Sequence, residues 1–167
     1  MQATISSVNG DNTMTYIENI FHCTPGIDIH AMSWGDSNKP IMLALHGWLD
    51  NAASFYRLAP LIKYYHIIAI DLPGHGHSSP LQSSFDYIMP NQLTWLHDLV
   101  QQLANPTISL LGHSMGAGIA SLYVACFPEM IDLFITLDML GPLSRDANTT
   151  THGLKQSVLS RKKIKPI

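Results

Sequence analysis

The stretch "ISLLGHSMGAGIASLYVA" (residues 108–125) decides the fold class. An apolar run ends at Gly112, and a second apolar run, rich in small residues, follows Ser114 and Gly116. The first run is typical of a strand buried on both faces, and the second of a helix packed beside it. A serine in the G-x-S-x-G pattern between a strand and a helix is typical of a nucleophile elbow. We therefore predict that Ser114 is a nucleophile.

The glycines around the serine have a steric role in such a turn. Side chains two positions before and two after Ser114 would collide with neighbouring backbone, and Gly112 and Gly116 avoid this. The N-terminus of the following helix would favour negative charge that develops near the serine. The alternative interpretation is a glycine-rich packing turn in which the serine is incidental.

The rest of the chain alternates strand-like and helix-like segments. Apolar runs without polar alternation predict strands covered on both faces, so we expect a mostly parallel sheet with helices on both faces. An antiparallel hairpin should precede it, turning at residues 24–26. The expected strands are residues 15–22, 27–34, 41–46, 66–72, 107–112 and 130–138, and the expected helices are residues 54–65, 90–104 and 115–127.

Composition excludes several classes of protein. The 167 residues are 46% hydrophobic and 13% charged, which favours one domain with a buried core over disorder. A net charge of −3 favours neither nucleic acid nor a membrane surface as partner. Two cysteines, no signal peptide and no spanning apolar run predict a cytoplasmic protein. The basic residues 155–165 are interpreted as a solvated helix end, with an interaction tail as the alternative.

Acyl transfer at Ser114 would also need an oxyanion hole. One backbone N–H should come from Met115, directly after the nucleophile. The second should come from the loop "LHGWLDN" (residues 45–51), where the N–H of Trp48 is the best candidate. Gly47 would let the main chain approach a substrate. The indole of Trp48 also fits an ordinary core or pocket role.

Three segments together resemble the α/β-hydrolase family. "LHGW" resembles its oxyanion loop, "DLPGHGHSSP" (residues 71–80) its D-x-x-G-H-G-x-S loop, and "LGHSMGAGIA" its nucleophile elbow. Within the family, "HGWLDNAASF" and the stretch "FPEMID…LD…GPLSR" are most similar to serine hydrolase-like proteins. The resemblance implies a serine–histidine–acid triad and a helical cap inserted after Asp138.

The nucleophile type narrows the implied chemistry. Family members that open epoxides or displace halide need an aspartate at the elbow, whereas this chain has Ser114, so an acyl-enzyme is expected. Esters, thioesters, amides and some carbon–carbon bonds are the substrate classes left open. The resemblance implies no cofactor, and the spacing of the histidines matches no metal site.

The triad partners are the incomplete part of the pattern. No position matches the family's catalytic histidine, so we expect His46 and His113 to shape the cleft rather than act as base. Asp138 stands where some family members carry the acid; capping of the strand end is the equal alternative.

The sequence is therefore interpreted as a truncated α/β-hydrolase. Residues 1–13 are expected to be a loose segment, residues 14–141 the front part of the hydrolase domain, and residues 142–167 the start of the cap. Two functional hypotheses follow. The chain is part of a serine hydrolase of small acyl compounds and itself lacks the catalytic histidine, or it is a catalytically inactive hydrolase-fold protein with a binding role or none. The sequence leaves the substrate and the oligomeric state open.

Overall fold

Seven strands form one sheet, in the order β1-β2-β3-β5-β4-β6-β7. The structure is a computed structural model that describes residues 2–6, 16–23, 26–81, 88–103 and 105–139. The strands are β1 (Gln2–Ser6), β2 (Tyr16–Cys23), β3 (Ile27–Trp34), β4 (Ile41–Leu45), β5 (His66–Ile70), β6 (Ile108–His113) and β7 (Ile131–Leu137).

Four strands, β4 to β7, run parallel to one another and form the half of the sheet that carries Ser114. β4 is buried along its whole length and β6 along all but its last residue, as apolar runs without alternation predict. β2 and β3 form the expected antiparallel hairpin, and β3 continues antiparallel onto β5. The mostly parallel sheet predicted from the sequence is confirmed.

Two α-helices, α1 (Gln92–Gln102) and α2 (Met115–Cys126), share one hydrophobic core on the same face of the sheet. Trp95 and Leu96 of α1 and Tyr123 of α2 are completely buried there, against Leu43 and Leu110 of the sheet. The elbow serine therefore lies at the junction of a fully packed strand and a fully packed helix.

The opposite face of the sheet corrects the prediction of an α-helix at residues 54–65. Residues 54–65, expected to be a helix, form two short 3-10 turns, Ala52–Phe55 and Ala59–Leu61. Pro60 has no N–H to donate to a helix, and a helix accepts proline only in its first turn. One continuous helix over residues 54–65 is therefore disfavoured, and Pro60 lies at the start of the second 3-10 turn. In the described ranges, this face is covered by these turns and not by an α-helix.

One of the two outer edges of the sheet also differs from expectation. Residues 2–6, expected to be loose, form β1, which pairs antiparallel with β2 because an edge strand offers unpaired backbone groups. Strand β7, expected at residues 130–138, forms the other edge of the sheet within the described residues, and its Leu133 and Leu137 are 41% and 38% exposed. The predicted cap start at residues 142–167 lies outside the described residues.

Candidate active site

Ser114 occupies the sharp turn between β6 and α2 with a backbone conformation that is strained for a non-glycine residue. Its φ is 48° and its ψ is −114°. Two hydrogen bonds hold the turn: the Ser114 N–H donates to the Leu137 carbonyl at 3.0 Å, and the Gly118 N–H donates to the Ser114 carbonyl at 3.1 Å. Strain of this kind is maintained only where surrounding contacts enforce it, and it is concentrated at functional sites.

The two elbow glycines are required by close backbone packing. A Cβ on Gly112, in β6, would collide with the backbone of Ala117 in the first turn of α2. A Cβ on Gly116 would collide with the carbonyl oxygens of Leu45 and His46 at the end of β4. The Gly116 N–H instead donates to the His46 carbonyl at 3.1 Å. The elbow is thus packed directly onto the loop that was predicted to supply the second oxyanion donor.

At Gly47 that loop comes very close to Ser114. A Cβ built on Gly47 would lie 2.8 Å from Nδ1 of His113 and 3.4 Å from Cβ of Ser114. The next residue, Trp48, is 69% exposed, and its indole meets the His75 ring edge-on with ring centroids 6.2 Å apart. Gly47, His113 and Ser114 therefore lie close together.

The two predicted oxyanion donors are the first N–H of α2, on Met115, and the N–H of Trp48. Within the described part of the chain, neither N–H has a hydrogen-bond acceptor. Unsatisfied N–H groups at a helix start are available to an anionic ligand. The donor role of Trp48 and Met115 stays a prediction.

Five of the described histidines hydrogen-bond to groups other than Ser114. The His46 imidazole is completely buried, and its two nitrogens meet the Gly47 carbonyl oxygen at 2.7 Å and the Leu72 N–H at 2.9 Å. Burial lowers the pKa of His46, and its hydrogen bond to Gly47 only partly opposes this. Four other histidines bond elsewhere: His22 to Asp28, His30 to Asp71, His75 to the Pro73 carbonyl and His97 to Tyr123. No histidine in the described ranges is hydrogen-bonded to Ser114, and His152 lies outside them.

Asp138 follows β7 directly beside the elbow. In the register of β6 and β7, His113 pairs with Leu137, so Asp138 is level with Ser114 at the carboxyl end of the sheet. Its backbone has a φ of 61°, and its side chain is exposed. Its carboxylate has no hydrogen bond to any described residue. The position is compatible with a triad acid, and that role stays a prediction.

Asp71 is the carboxylate whose importance the sequence reasoning missed. It follows β5, is 2% exposed, and accepts hydrogen bonds from the Ala52 N–H at 2.7 Å and the His77 N–H at 2.8 Å. His30 Nδ1 lies 3.0 Å from Asp71 Oδ2, the same oxygen that accepts the His77 N–H. Burial alone would raise the pKa of Asp71, but the hydrogen bonds from His30, Ala52 and His77 outweigh it and hold that pKa below its usual value. The sequence signal that could have identified Asp71 is an acidic residue directly after a buried strand and shortly before the loop "HGHSS" (residues 75–79).

Other features of the described residues lie away from this site. A cavity of about 280 Å³ opens near the starts of β4 and β5, at the end of these strands away from Ser114. It is lined by Trp34, Gly35, Lys39, Ala59, Pro60, Ile62 and Lys63. Among the residues that can be described, no group of three or more histidine, cysteine or acidic side chains could hold a metal. None of their helices is both long and apolar enough to cross a membrane.

Comparison with known proteins gives matches over most of the chain. The sequence model of the family described as "alpha/beta hydrolase fold" matches residues 40–161. A serine hydrolase-like protein of Dictyostelium discoideum is 41% identical over 83% of this chain and 40% of its own length. Human epoxide hydrolase 4 is 30% identical over 70% of this chain and 33% of its own length. The chain therefore spans well under half the length of these two curated relatives.

Solved structures give the same result for the fold. A hypothetical protein of Pseudomonas aeruginosa superposes with a TM-score of 0.76 at 35% identity, covering 90% of this chain and 54% of its own. The thioesterase domain from the curacin biosynthetic pathway superposes with a TM-score of 0.76 at 27% identity, covering 91% of this chain and 53% of its own. The matched segment is about half of each of these two chains.

Proposed function

The chain belongs to the α/β-hydrolase family, and from this premise we propose that it is the nucleophile-bearing part of a serine hydrolase that forms an acyl-enzyme at Ser114. The observation that carries the proposal is the strained backbone of Ser114, which is held between Gly112 and Gly116 against Gly47. This arrangement presents the hydroxyl at the carboxyl end of the parallel strands, where ligands bind in open α/β sheets.

The identity of the nucleophile favours acyl substrates over epoxides. A serine hydroxyl attacks a carbonyl carbon and gives an ester intermediate that water then cleaves. The relatives include proteins named serine hydrolase-like, thioesterase and epoxide hydrolase. Because the elbow residue is a serine and not a carboxylate, the first two names fit this chain better. Carboxylic esters or related acyl compounds of small molecules are the proposed substrate class, with no cofactor and no nucleic acid partner.

The proposed chemistry assigns one role to each group. A histidine base accepts the proton of Ser114 Oγ as the oxygen attacks the carbonyl carbon, and the carbonyl oxygen becomes an oxyanion. The N–H groups of Trp48 and Met115 donate to that oxyanion. The base then returns the proton to the leaving group, and water hydrolyses the ester in a second cycle. Asp138 would orient the base and stabilise its charged form.

A second candidate function applies to the 167-residue chain by itself. A serine at its free pKa is a weak nucleophile, and no described histidine is bonded to Ser114. This observation favours a hydrolase-fold protein that, alone, binds ligands or has no catalytic role. The two functions differ in whether Ser114 is activated within this chain.

Labelling with a fluorophosphonate probe tests whether Ser114 is activated in this chain, and the same labelling of a longer protein that contains the chain separates the two functions. The probe is added to the purified, folded chain and to the Ser114→Ala and His113→Gln variants, and covalent adducts are measured by mass spectrometry. We expect labelling of the wild-type chain to be slow, because loss of a triad member removes several orders of magnitude of rate. Any adduct should be at Ser114 and absent from Ser114→Ala.

Rapid labelling that Ser114→Ala abolishes would show that a base exists in this chain, and its persistence in His113→Gln would exclude His113 as that base. An adduct on another residue, with Ser114 unmodified, would overturn the assignment of the nucleophile. A longer protein that contains this chain is expected to label rapidly at the same serine.

A further inference from the structure

The imidazole of His46 is fixed by two backbone groups from different loops. It follows β4, is completely buried, and has a nitrogen 2.7 Å from the Gly47 carbonyl oxygen. Its other nitrogen, Nε2, accepts the Leu72 N–H at 2.9 Å. The carbonyl of His46 itself accepts the Gly116 N–H of the elbow. His46 therefore joins the loop after β4, the loop after β5 and the nucleophile turn.

These contacts allow only one tautomer of His46. The Leu72 N–H is a donor, so Nε2 must present its lone pair and cannot carry a proton. The proton of the neutral ring is then on Nδ1, which donates to the Gly47 carbonyl oxygen. Burial lowers the pKa of His46 and so favours this neutral ring. The ring is thus a fixed donor to one carbonyl.

The orientation of that carbonyl determines the orientation of the next N–H. In a trans peptide the C=O of Gly47 and the N–H of Trp48 point in opposite directions. The Gly47 carbonyl oxygen is held by His46 Nδ1 and, at 3.3 Å, by the Asp50 N–H. The Trp48 N–H therefore points away from His46, and it has no acceptor among the described residues. Gly47 itself lies against Ser114.

We propose that His46 is a positioning residue that holds the Gly47–Trp48 peptide so that the Trp48 N–H faces Ser114 before any substrate binds. This inference rests on the proposed function, since it explains how one predicted oxyanion donor is preorganised. Without the His46 donor the peptide can rotate, and a rotated peptide would present the Gly47 carbonyl to the site. A carbonyl there would repel an oxyanion instead of stabilising it.

Two substitutions separate the two hydrogen bonds of His46. In His46→Asn the amide nitrogen is bonded to Cγ, as Nδ1 is, so it can donate to Gly47 while the bond to Leu72 is lost. In His46→Gln the amide reaches the position of Nε2, so it can accept from Leu72 while the bond to Gly47 is lost. The proposal predicts that Asn preserves the peptide orientation and that Gln does not.

The test is NMR of the isotope-labelled 167-residue chain, which needs no catalytic activity. We expect long-range ¹H–¹⁵N spectra to give a proton on Nδ1 and none on Nε2 of His46. We expect a nuclear Overhauser effect between the Trp48 amide proton and the β protons of Ser114. The effect should persist in His46→Asn and disappear in His46→Gln, with the amide spectrum of each variant reporting whether it is folded.

Several results would overturn the proposal. These are a wild-type ring protonated on Nε2, a wild-type chain without the Trp48–Ser114 effect, or a folded His46→Gln variant that retains it. If His46→Gln does not fold, the proposal is tested by the tautomer of His46 in the wild-type chain and by the Trp48–Ser114 nuclear Overhauser effect in His46→Asn. Loss of that effect in a folded His46→Asn variant would then overturn it. Failure of the proposed function is separate, because it is read from the site of probe labelling and not from the orientation of this peptide.

Discussion

Asp71 and Asp138 both follow parallel strands, at the carboxyl ends of β5 and β7, yet one is buried and bonded and the other is exposed. Asp71 is buried after β5 and accepts hydrogen bonds from Ala52, His77 and His30. Asp138 is exposed after β7 and has no hydrogen bond to a described residue. A carboxylate whose oxygens are all held by fixed donors stabilises the loops around the site. One without partners is available to another group.

The largest expected effect comes from removing the buried carboxylate. Asp71→Ala should lower the free energy of unfolding by about 3 kcal/mol, because the Ala52 and His77 N–H groups lose their acceptor inside the protein. Urea denaturation followed by circular dichroism measures it. Asp138→Ala is the matched control and should change stability by less than about 0.5 kcal/mol. Equal losses in the two variants would contradict the distinction between them.

Acidification should reveal the buried carboxylate of Asp71 with a smaller effect. The folded protein holds the pKa of Asp71 below the value of about 3.9 expected in the unfolded chain. Its contribution to stability is therefore complete above that unfolded value and is lost as pH falls through the folded pKa. Urea midpoints measured from pH 6 downwards should show this loss in Asp138→Asn. In Asp71→Asn the slope below about pH 4 should be reduced.

The smallest expected effect is a gain in stability from a substitution at Ser114. Ser114→Gly should raise the free energy of unfolding by roughly 1 kcal/mol, because glycine tolerates φ 48°, ψ −114° and relieves the strain. Thermal unfolding compares it with Ser114→Ala, which keeps the strain. Asp138→Gly should gain less, since aspartate tolerates a left-handed backbone better than most residues do. A loss of stability in Ser114→Gly would mean that the turn stores no strain.

Local patterns predicted the elements that carry the site. The apolar runs of β4, β5 and β6 and the small residues after Ser114 each specify a local structure, and the elbow follows from their junction. The segment at residues 54–65 was predicted wrongly because its apolar spacing resembles a helix, whereas Pro60 and the packing of Ala52 and Phe55 against the sheet favour 3-10 turns.

The sequence by itself determined the buried strands, the nucleophile turn and the need for glycine at Gly112 and Gly116, since steric and hydrophobic preferences act over a few neighbouring residues. Only the tertiary structure decided which groups meet across the chain. His46 and Leu72 are 26 residues apart, and Asp71 and Ala52 are 19 apart. Such contacts arise when parallel strands bring their carboxyl ends to one edge, and they fix the tautomer of His46 and the burial of Asp71 there.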